Sequence, residues 1–197
     1  MCACEERVMS IEWESTLQDH LTAAAAMRDQ AAVLDGIADA IIAAIRNGKR
    51  VYVLGNGGSA ADAQHIAAEL LGRFRTDRAA LPAMALTTDS SVLTAISNDL
   101  GYGRVFVRQV EGLVQAGDVV WALSTSGNSP NVLEAVRAAA ARGAVTIAFT
   151  GAGGHRLAEC CAHKLVVPHK SSDRIQECHQ IAYHYVCGRV ETAFAGK

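Results

Sequence analysis

The sequence lacks the features that identify several classes of protein. No apolar run approaches the roughly 20 residues that span a bilayer, and no apolar segment near the start resembles a secretion signal. The formal charge is −2, without a cluster of one sign, so nothing in it favours binding to nucleic acid. These absences predict a cytoplasmic protein that enters no membrane and binds no nucleic acid.

Aromatic residues and paired cysteines are scarce as well. Aromatic residues make up 5% of the chain although hydrophobic residues make up 50%. Alanine supplies much of that difference, which favours closely packed helices over a β-sandwich. The 6 cysteines include no CxxC pair, and a chain of 197 residues does not need a disulfide framework. We therefore expect the cysteines to act as small hydrophobic residues or free thiols.

Short apolar runs alternate with helical segments from residue 51 onward. Continuous apolar strands separated by helices predict a parallel sheet covered by helices on both faces. We expect one domain over residues 1–197, in which residues 1–48 form helices used for packing or assembly. Residues 49–197 then form a three-layer α/β/α core that ends in a long amphipathic helix over 173–195. The five predicted strands are 51–54, 83–86, 119–123, 145–150 and 164–168.

Two loops that follow predicted strands combine glycine with hydroxyl side chains. They are GNGGSA at 55–60 and STSGNS at 124–129, and loops of this kind lie at the carboxyl edge of a parallel sheet, where ligands bind. Ser59 stands at an expected helix N-cap and Pro130 at an expected first helical position. Helix N-termini attract anions. Neither loop has the Walker lysine or the GxGxxG spacing, so we predict a phosphomonoester held by neutral donors.

A second set of polar side chains lies on two predicted helices. His65 and Glu69, four residues apart, share a helix face roughly one turn beyond the glycine loop. Gln176, His179 and His184 lie on the last helix, where an offset of eight residues separates Gln176 from His184 by about 12 Å along the axis. If both serve one site, either the helix is irregular or different subunits supply them. A solvated His–Glu pair with no role in chemistry is the alternative.

Four segments together are similar to a known family. GNGGSAADAQHIAAEL, LTAISNDLGY, ALSTSGNSPNV and RIQECHQIAYH resemble the sugar isomerase (SIS) domain and, within it, the bacterial phosphoheptose isomerases. The resemblance runs from about residue 15 to 190. It implies a flavodoxin-like sheet and a homotetramer with active sites between subunits. It also implies isomerisation of sedoheptulose 7-phosphate to D-glycero-D-manno-heptose 7-phosphate, the first step towards nucleotide-activated heptose for lipopolysaccharide or other glycans.

The resemblance also implies roles for particular residues. Glu69 corresponds to the family's general base and His184 to its acid partner. One zinc ion per subunit is implied, with the ligands His65, Glu69, Gln176 and His184. The hydroxyl groups of STSGNS are expected to cradle the phosphate. Substrate contacts are implied for Asn56, Gly57, Gly58, Ser59, Glu69, Arg73, Asn98, Asp99, Ser124, Thr125, Ser126, Ser129, Asp173 and Gln176.

The two assigned residues have the chemistry that an aldose–ketose isomerase needs. Moving a proton between C1 and C2 through an enediol requires a base at carbon and a second group that manages the other proton. A divalent metal can polarise the two oxygens, although a glutamate bound to zinc is a weaker base. The alternative is a non-catalytic SIS protein that binds the replication initiator. Proteins of that type depart from the isomerase pattern at the glutamate and the last histidine, and both are present here as Glu69 and His184.

Overall fold

The computed structural model describes the backbone of residues 3–196 and the side chains of residues 12–196. Cys2 and the side chain of Cys4, which were included in the expectation for the cysteines, lie outside the described residues. The chain begins with helices α1 (Ala3–Ala25) and α2 (Ala31–Arg46), which are joined through a short 3₁₀ turn at Arg28–Gln30. Helix α2 ends at Asn47-Gly48, where Gly48 has a φ of 71°, a backbone conformation that commonly follows a helix end.

Five parallel strands form a single sheet in the order β2-β1-β3-β4-β5. This is the order of the flavodoxin-like fold, with a switch point between β1 and β3. The prediction of a five-stranded parallel sheet is confirmed, and each predicted strand end differs from the observed one by no more than one residue. The strands are β1 (Val51–Gly55), β2 (Ala83–Ala85), β3 (Val119–Ser124), β4 (Val145–Gly151) and β5 (His163–Val167).

Helices cover both faces of the sheet, which makes three layers. The remaining helices are α3 (Gly58–Leu71), α4 (Ser90–Leu100), α5 (Val107–Leu113), α6 (Pro130–Ala141), α7 (His155–Glu159) and α8 (Ser172–Phe194). Because side chains alternate along a strand, Val51 and Val53 of β1 pack in the core formed with α2, α3 and α8. Tyr52 and Leu54 pack in the opposite core, formed with α5, α6 and α7.

Gly55, at the end of β1, is packed so closely against α3 and β3 that there is no room for a side chain. A Cβ there would lie 2.7 Å from the Ser59 carbonyl oxygen and 2.9 Å from the Leu123 carbonyl oxygen. The first glycine of GNGGS therefore brings the two predicted ligand loops together. Within the described residues, no helix is long and apolar enough to cross a membrane. The prediction of one domain over residues 1–197, with N-terminal helices over 1–48 and a core over 49–197, stays a prediction.

Candidate active site

A small polar pocket lies at the carboxyl edge of the sheet, between the two loops. Its volume is about 100 Å³, which is enough for a group of the size of a phosphate. Three helices, α3, α6 and α8, begin around it, and their free N–H groups favour an anion. We call this the phosphate pocket; it is lined by Asn56, Ser59, Leu123, Ser124, Thr125, Ser126, Ser129 and Gln176.

The prediction that Ser59 caps α3 is wrong, because the cap lies at Gly57, two residues earlier. Gly57 occupies the cap position with a φ of 56°, and the turn that this angle allows makes Gly58 the first helical residue. Ser59 therefore lies inside the first helical turn and lines the phosphate pocket. The prediction of Pro130 as the first residue of α6 is confirmed, with Ser129 at the cap position.

The side chain of Asn56 is engaged by the protein itself. It exchanges two hydrogen bonds with the Asn131 amide, at 3.0 and 2.9 Å, and its oxygen also accepts the Tyr102 hydroxyl at 3.0 Å. Asn131 is 3% exposed. The two amides thus join the GNGGS loop to the start of α6. Sequence reasoning missed Asn131 and Tyr102, although the position of Asn131 directly after STSGNS-Pro was an available signal.

A second polar group forms where α3 and α8 pack together. His65 Nε2 lies 3.0 Å from Glu69 Oε1 and 3.3 Å from His184 Nε2, and donor atoms of all three residues fall within 4.8 Å of one another. The other oxygen of Glu69, Oε2, is buried without a hydrogen-bond partner. Since α3 begins at Gly58, His65 lies about two turns into the helix, rather than the single turn predicted. We refer to these three residues as the His65–Glu69–His184 cluster.

Neighbouring side chains orient the two imidazoles of this cluster. The Tyr183 hydroxyl lies 3.2 Å from His65 Nδ1 and donates to Asp62 Oδ1 at 3.4 Å. Burial lowers the pKa of His184. The charges of His65 and Arg75 lower this pKa further, whereas the charge of Glu69 raises it. The lowered pKa favours the neutral imidazole of His184, whose lone pair can accept a proton or bind a metal.

Comparison with known proteins identifies the family. The SIS domain profile matches residues 12–151. A phosphoheptose isomerase from a Bradyrhizobium strain is 50% identical over 188 residues, which cover 91% of this chain and 94% of that protein. This chain belongs to the phosphoheptose isomerase family of SIS-domain proteins.

Solved structures of phosphoheptose isomerases agree with this family. The one from Neisseria gonorrhoeae superimposes with a TM-score of 0.84 at 39% identity, covering 96% of this chain and 100% of that chain. The one from Francisella tularensis gives a TM-score of 0.85 at 32% identity, covering 98% of this chain and 100% of that chain. The chain is therefore an isomerase, and the non-catalytic alternative is not favoured.

The phosphoheptose isomerase pattern assigns Gln176 and His184 to one metal site, but α8 carries them to different places. The helix is continuous over Ser172–Phe194, so the two side chains leave it about 12 Å apart along its axis. Gln176 lines the phosphate pocket, and a Cβ on Gly58 would lie 2.5 Å from its Nε2. His179, between them, is buried against Phe149, and burial lowers its pKa to about 4.

Four further residues of the family pattern are exposed: Arg73, Asn98, Asp99 and Asp173. Asn98 donates to Asp99 Oδ1 at 2.8 Å. Hydrogen bonds from Ser171 and from the Arg174 N–H lower the pKa of Asp173. Within residues 12–196, these four line neither the phosphate pocket nor the His65–Glu69–His184 cluster.

Proposed function

We propose that this chain converts sedoheptulose 7-phosphate into D-glycero-D-manno-heptose 7-phosphate through an enediol, in the cytoplasm. The product then enters the synthesis of nucleotide-activated heptose. The observation that carries the proposal is the Glu69 carboxylate placed beside two imidazoles, on the same helix whose N-terminus forms the phosphate pocket. One part of the chain suits an anion and another suits proton transfer, as an isomerase of a sugar phosphate requires.

The proton transfer is assigned to Glu69 and His184. Glu69 is largely shielded, with a side-chain exposure of 16%, so its carboxylate can take a proton from carbon with little competition from water. Neutral His184 can exchange a proton with the sugar oxygens through its imidazole. A cleft of about 790 Å³, lined in part by His184, gives a sugar access to this region. The hydroxyl and amide groups of the phosphate pocket hold the other end of the substrate.

The His65–Glu69–His184 cluster fits a zinc ion, and we propose that each subunit binds one. Nitrogen and oxygen ligands about 2.0–2.1 Å from a tetrahedral zinc lie roughly 3.3 Å from each other, close to the observed 3.0 and 3.3 Å. The unpartnered Oε2 of Glu69 also suits a cation. Gln176 is proposed as a further ligand. When bound, zinc supplies Lewis acidity at the sugar oxygens.

The same reasoning supports a homotetramer with active sites at subunit interfaces. Because α8 is regular, Gln176 reaches the metal ligands only if a neighbouring subunit provides it. Helix α1 also exposes Trp13, Leu17 and Leu21, and a row of apolar side chains on a surface is typical of a contact with another protein. In this proposal, the phosphate pocket of one subunit faces the cluster of the next.

Replacing Tyr183 with phenylalanine is expected to weaken zinc binding about 10- to 100-fold. The hydroxyl hydrogen goes to Asp62, so the 3.2 Å contact with His65 favours the tautomer in which Nδ1 donates to the hydroxyl and the Nε2 lone pair faces the cluster. Isothermal titration with zinc measures the change. Tyr185→Phe is the matched control, because the Tyr185 hydroxyl donates instead to Asp35 of α2 at 2.7 Å. Equal affinity in wild type and Tyr183→Phe, or an equal loss in both variants, contradicts this role.

The proposed function is tested by an assay coupled to formation of heptose 7-phosphate from sedoheptulose 7-phosphate. We expect turnover by the metal-loaded protein, its loss after treatment with a chelator, and recovery on addition of zinc. Zinc-loaded protein that binds the substrate without converting it would overturn the proposal. Turnover that survives complete removal of the metal would contradict the zinc assignment alone.

A further inference from the structure

The connection between α3 and β2 is held against α8 by a buried carboxylate that the proposed chemistry does not use. Glu191 is 3% exposed, and its oxygens accept the backbone N–H groups of Phe74, Arg75 and Thr76 at 2.8, 2.8 and 3.0 Å. Burial alone raises the pKa of Glu191, but these three N–H groups outweigh it and the pKa lies below its usual range. Glu191 therefore holds three consecutive residues of the connection through charge-assisted hydrogen bonds.

Arg78 fastens the same connection to the end of α3. Its guanidinium donates to the carbonyl oxygens of Glu69 at 2.7 Å and Gly72 at 3.2 Å, which are among the free carbonyls at the helix end. Its Nε lies 3.7 Å from Glu191 Oε1, and no part of the arginine side chain is exposed. The pair thus ties the end of the helix that carries Glu69 to the helix that carries His184.

Phe74 is the residue of this connection that reaches the His65–Glu69–His184 cluster. Its ring lies nearly parallel to the His184 imidazole, with an interplanar angle of 12° and a centroid distance of 5.5 Å. The ring also lies against Gly188, one turn further along α8, where a Cβ would come within 3.4 Å of Phe74 Cε1. The glycine provides the space in which the ring packs on the helix beside the histidine.

We propose that Glu191, Arg78 and Phe74 are positioning residues, which fix the plane of the His184 imidazole so that Nε2 faces His65 and Glu69. An imidazole on a helix surface turns about two side-chain bonds, and the parallel ring of Phe74 blocks that rotation. Glu191 and Arg78 act through Phe74, by holding its backbone. The inference rests on the proposed function, because its consequence is for proton transfer, and a misplacement of about 1 Å can cost about a hundredfold in rate.

The test compares Glu191→Gln and Phe74→Leu with the wild type. For sedoheptulose 7-phosphate we expect kcat to fall ten- to a hundredfold and KM to change less than threefold. The ring-proton signals of His184, observed by NMR with labelled histidine, should shift in Glu191→Gln, which keeps the Phe74 ring. Glu191 does not touch His184, so a purely stabilising role would leave these signals unchanged in folded protein. Phe74→Tyr, which keeps the aromatic ring, is expected to retain turnover.

Asp118→Asn is the matched control. Asp118 is also a buried carboxylate that accepts two backbone N–H groups, those of Arg50 and Gln115, but the connections it holds join α2 to β1 and α5 to β3 and contain no residue of the His65–Glu69–His184 cluster. We expect its replacement to lower stability and to leave kcat and the His184 signals unchanged. Equal losses of kcat in Asp118→Asn and Glu191→Gln, or His184 signals unmoved in folded Glu191→Gln, overturn the inference.

The inference can still be tested if Glu191→Gln does not fold or if the wild type shows no turnover. If Glu191→Gln does not fold, Phe74→Leu decides, since leucine keeps an apolar side chain but no ring plane; an unaltered kcat there overturns the inference. A wild-type protein without turnover overturns the proposed function, whereas the His184 signals of Glu191→Gln still decide whether this carboxylate orients His184 through Phe74.

Discussion

Replacing Glu69 with glutamine is expected to lower the turnover of sedoheptulose 7-phosphate by roughly a thousandfold while leaving the fold intact. The amide has the size of the carboxylate but cannot take a proton from carbon. Glu69 is shielded, and its Oε2 has no partner in the protein, so this oxygen is free to take the proton. His184→Gln is expected to have a comparable effect, because it removes the imidazole that lies 3.3 Å from His65.

Steady-state kinetics of both variants, beside thermal unfolding monitored by circular dichroism, measure this effect. Glu134→Gln serves as the control, since this exposed carboxylate of α6 contacts only Arg104, at 3.8 Å, among the ion pairs of the described residues. It should keep wild-type turnover. Turnover near that of the wild type in Glu69→Gln or in His184→Gln would show that the proton is moved by another group.

The fold could be predicted closely from the sequence because its signals are local. Each strand is a short apolar run bounded by glycine or polar residues, and such a run specifies a buried strand without knowledge of distant partners. The same holds for the end of α2, where Asn47-Gly48 provides the positive φ that a helix end uses. The helix start misplaced at Ser59 arose because two adjacent residues, Gly57 and Gly58, were both able to begin the turn.

The candidate site was only partly predictable, since several of its contacts join distant parts of the chain. The spacing of His65 and Glu69 marks a shared helix face, and the loops mark a pocket for an anion. Glu191 holds the Phe74 N–H across 117 positions of sequence, and nothing in its local pattern distinguishes it from an exposed glutamate of an amphipathic helix. Gln176 of α8 lies at the phosphate pocket and His184 of the same helix lies in the cluster. This separation likewise depends on which elements pack beside each turn of α8.

Gly127→Ala is expected to lower kcat/KM for sedoheptulose 7-phosphate about a hundredfold, mainly through KM. Gly127 has a φ of 60°, and a Cβ would lie 2.3 Å from the Gly154 Cα and 2.7 Å from Thr150 Oγ1. The loop must therefore move, and it carries the hydroxyl groups that line the phosphate pocket. The strained backbone and the overpacking together should lower the free energy of unfolding by roughly 2–5 kcal/mol.

Gly153→Ala separates the effect of this geometry from the effect of an added methyl group. Gly153 lies in the turn that packs against STSGNS, but its φ is not positive and a Cβ there meets nothing within 4 Å. It should therefore keep both its stability and its kcat/KM. If Gly127→Ala loses stability but binds the substrate normally, the phosphate is held elsewhere than by STSGNS. If it loses substrate affinity while kcat is retained, binding at this loop is separable from proton transfer at Glu69, because the phosphate pocket and the His65–Glu69–His184 cluster are built on different parts of α3 and α8.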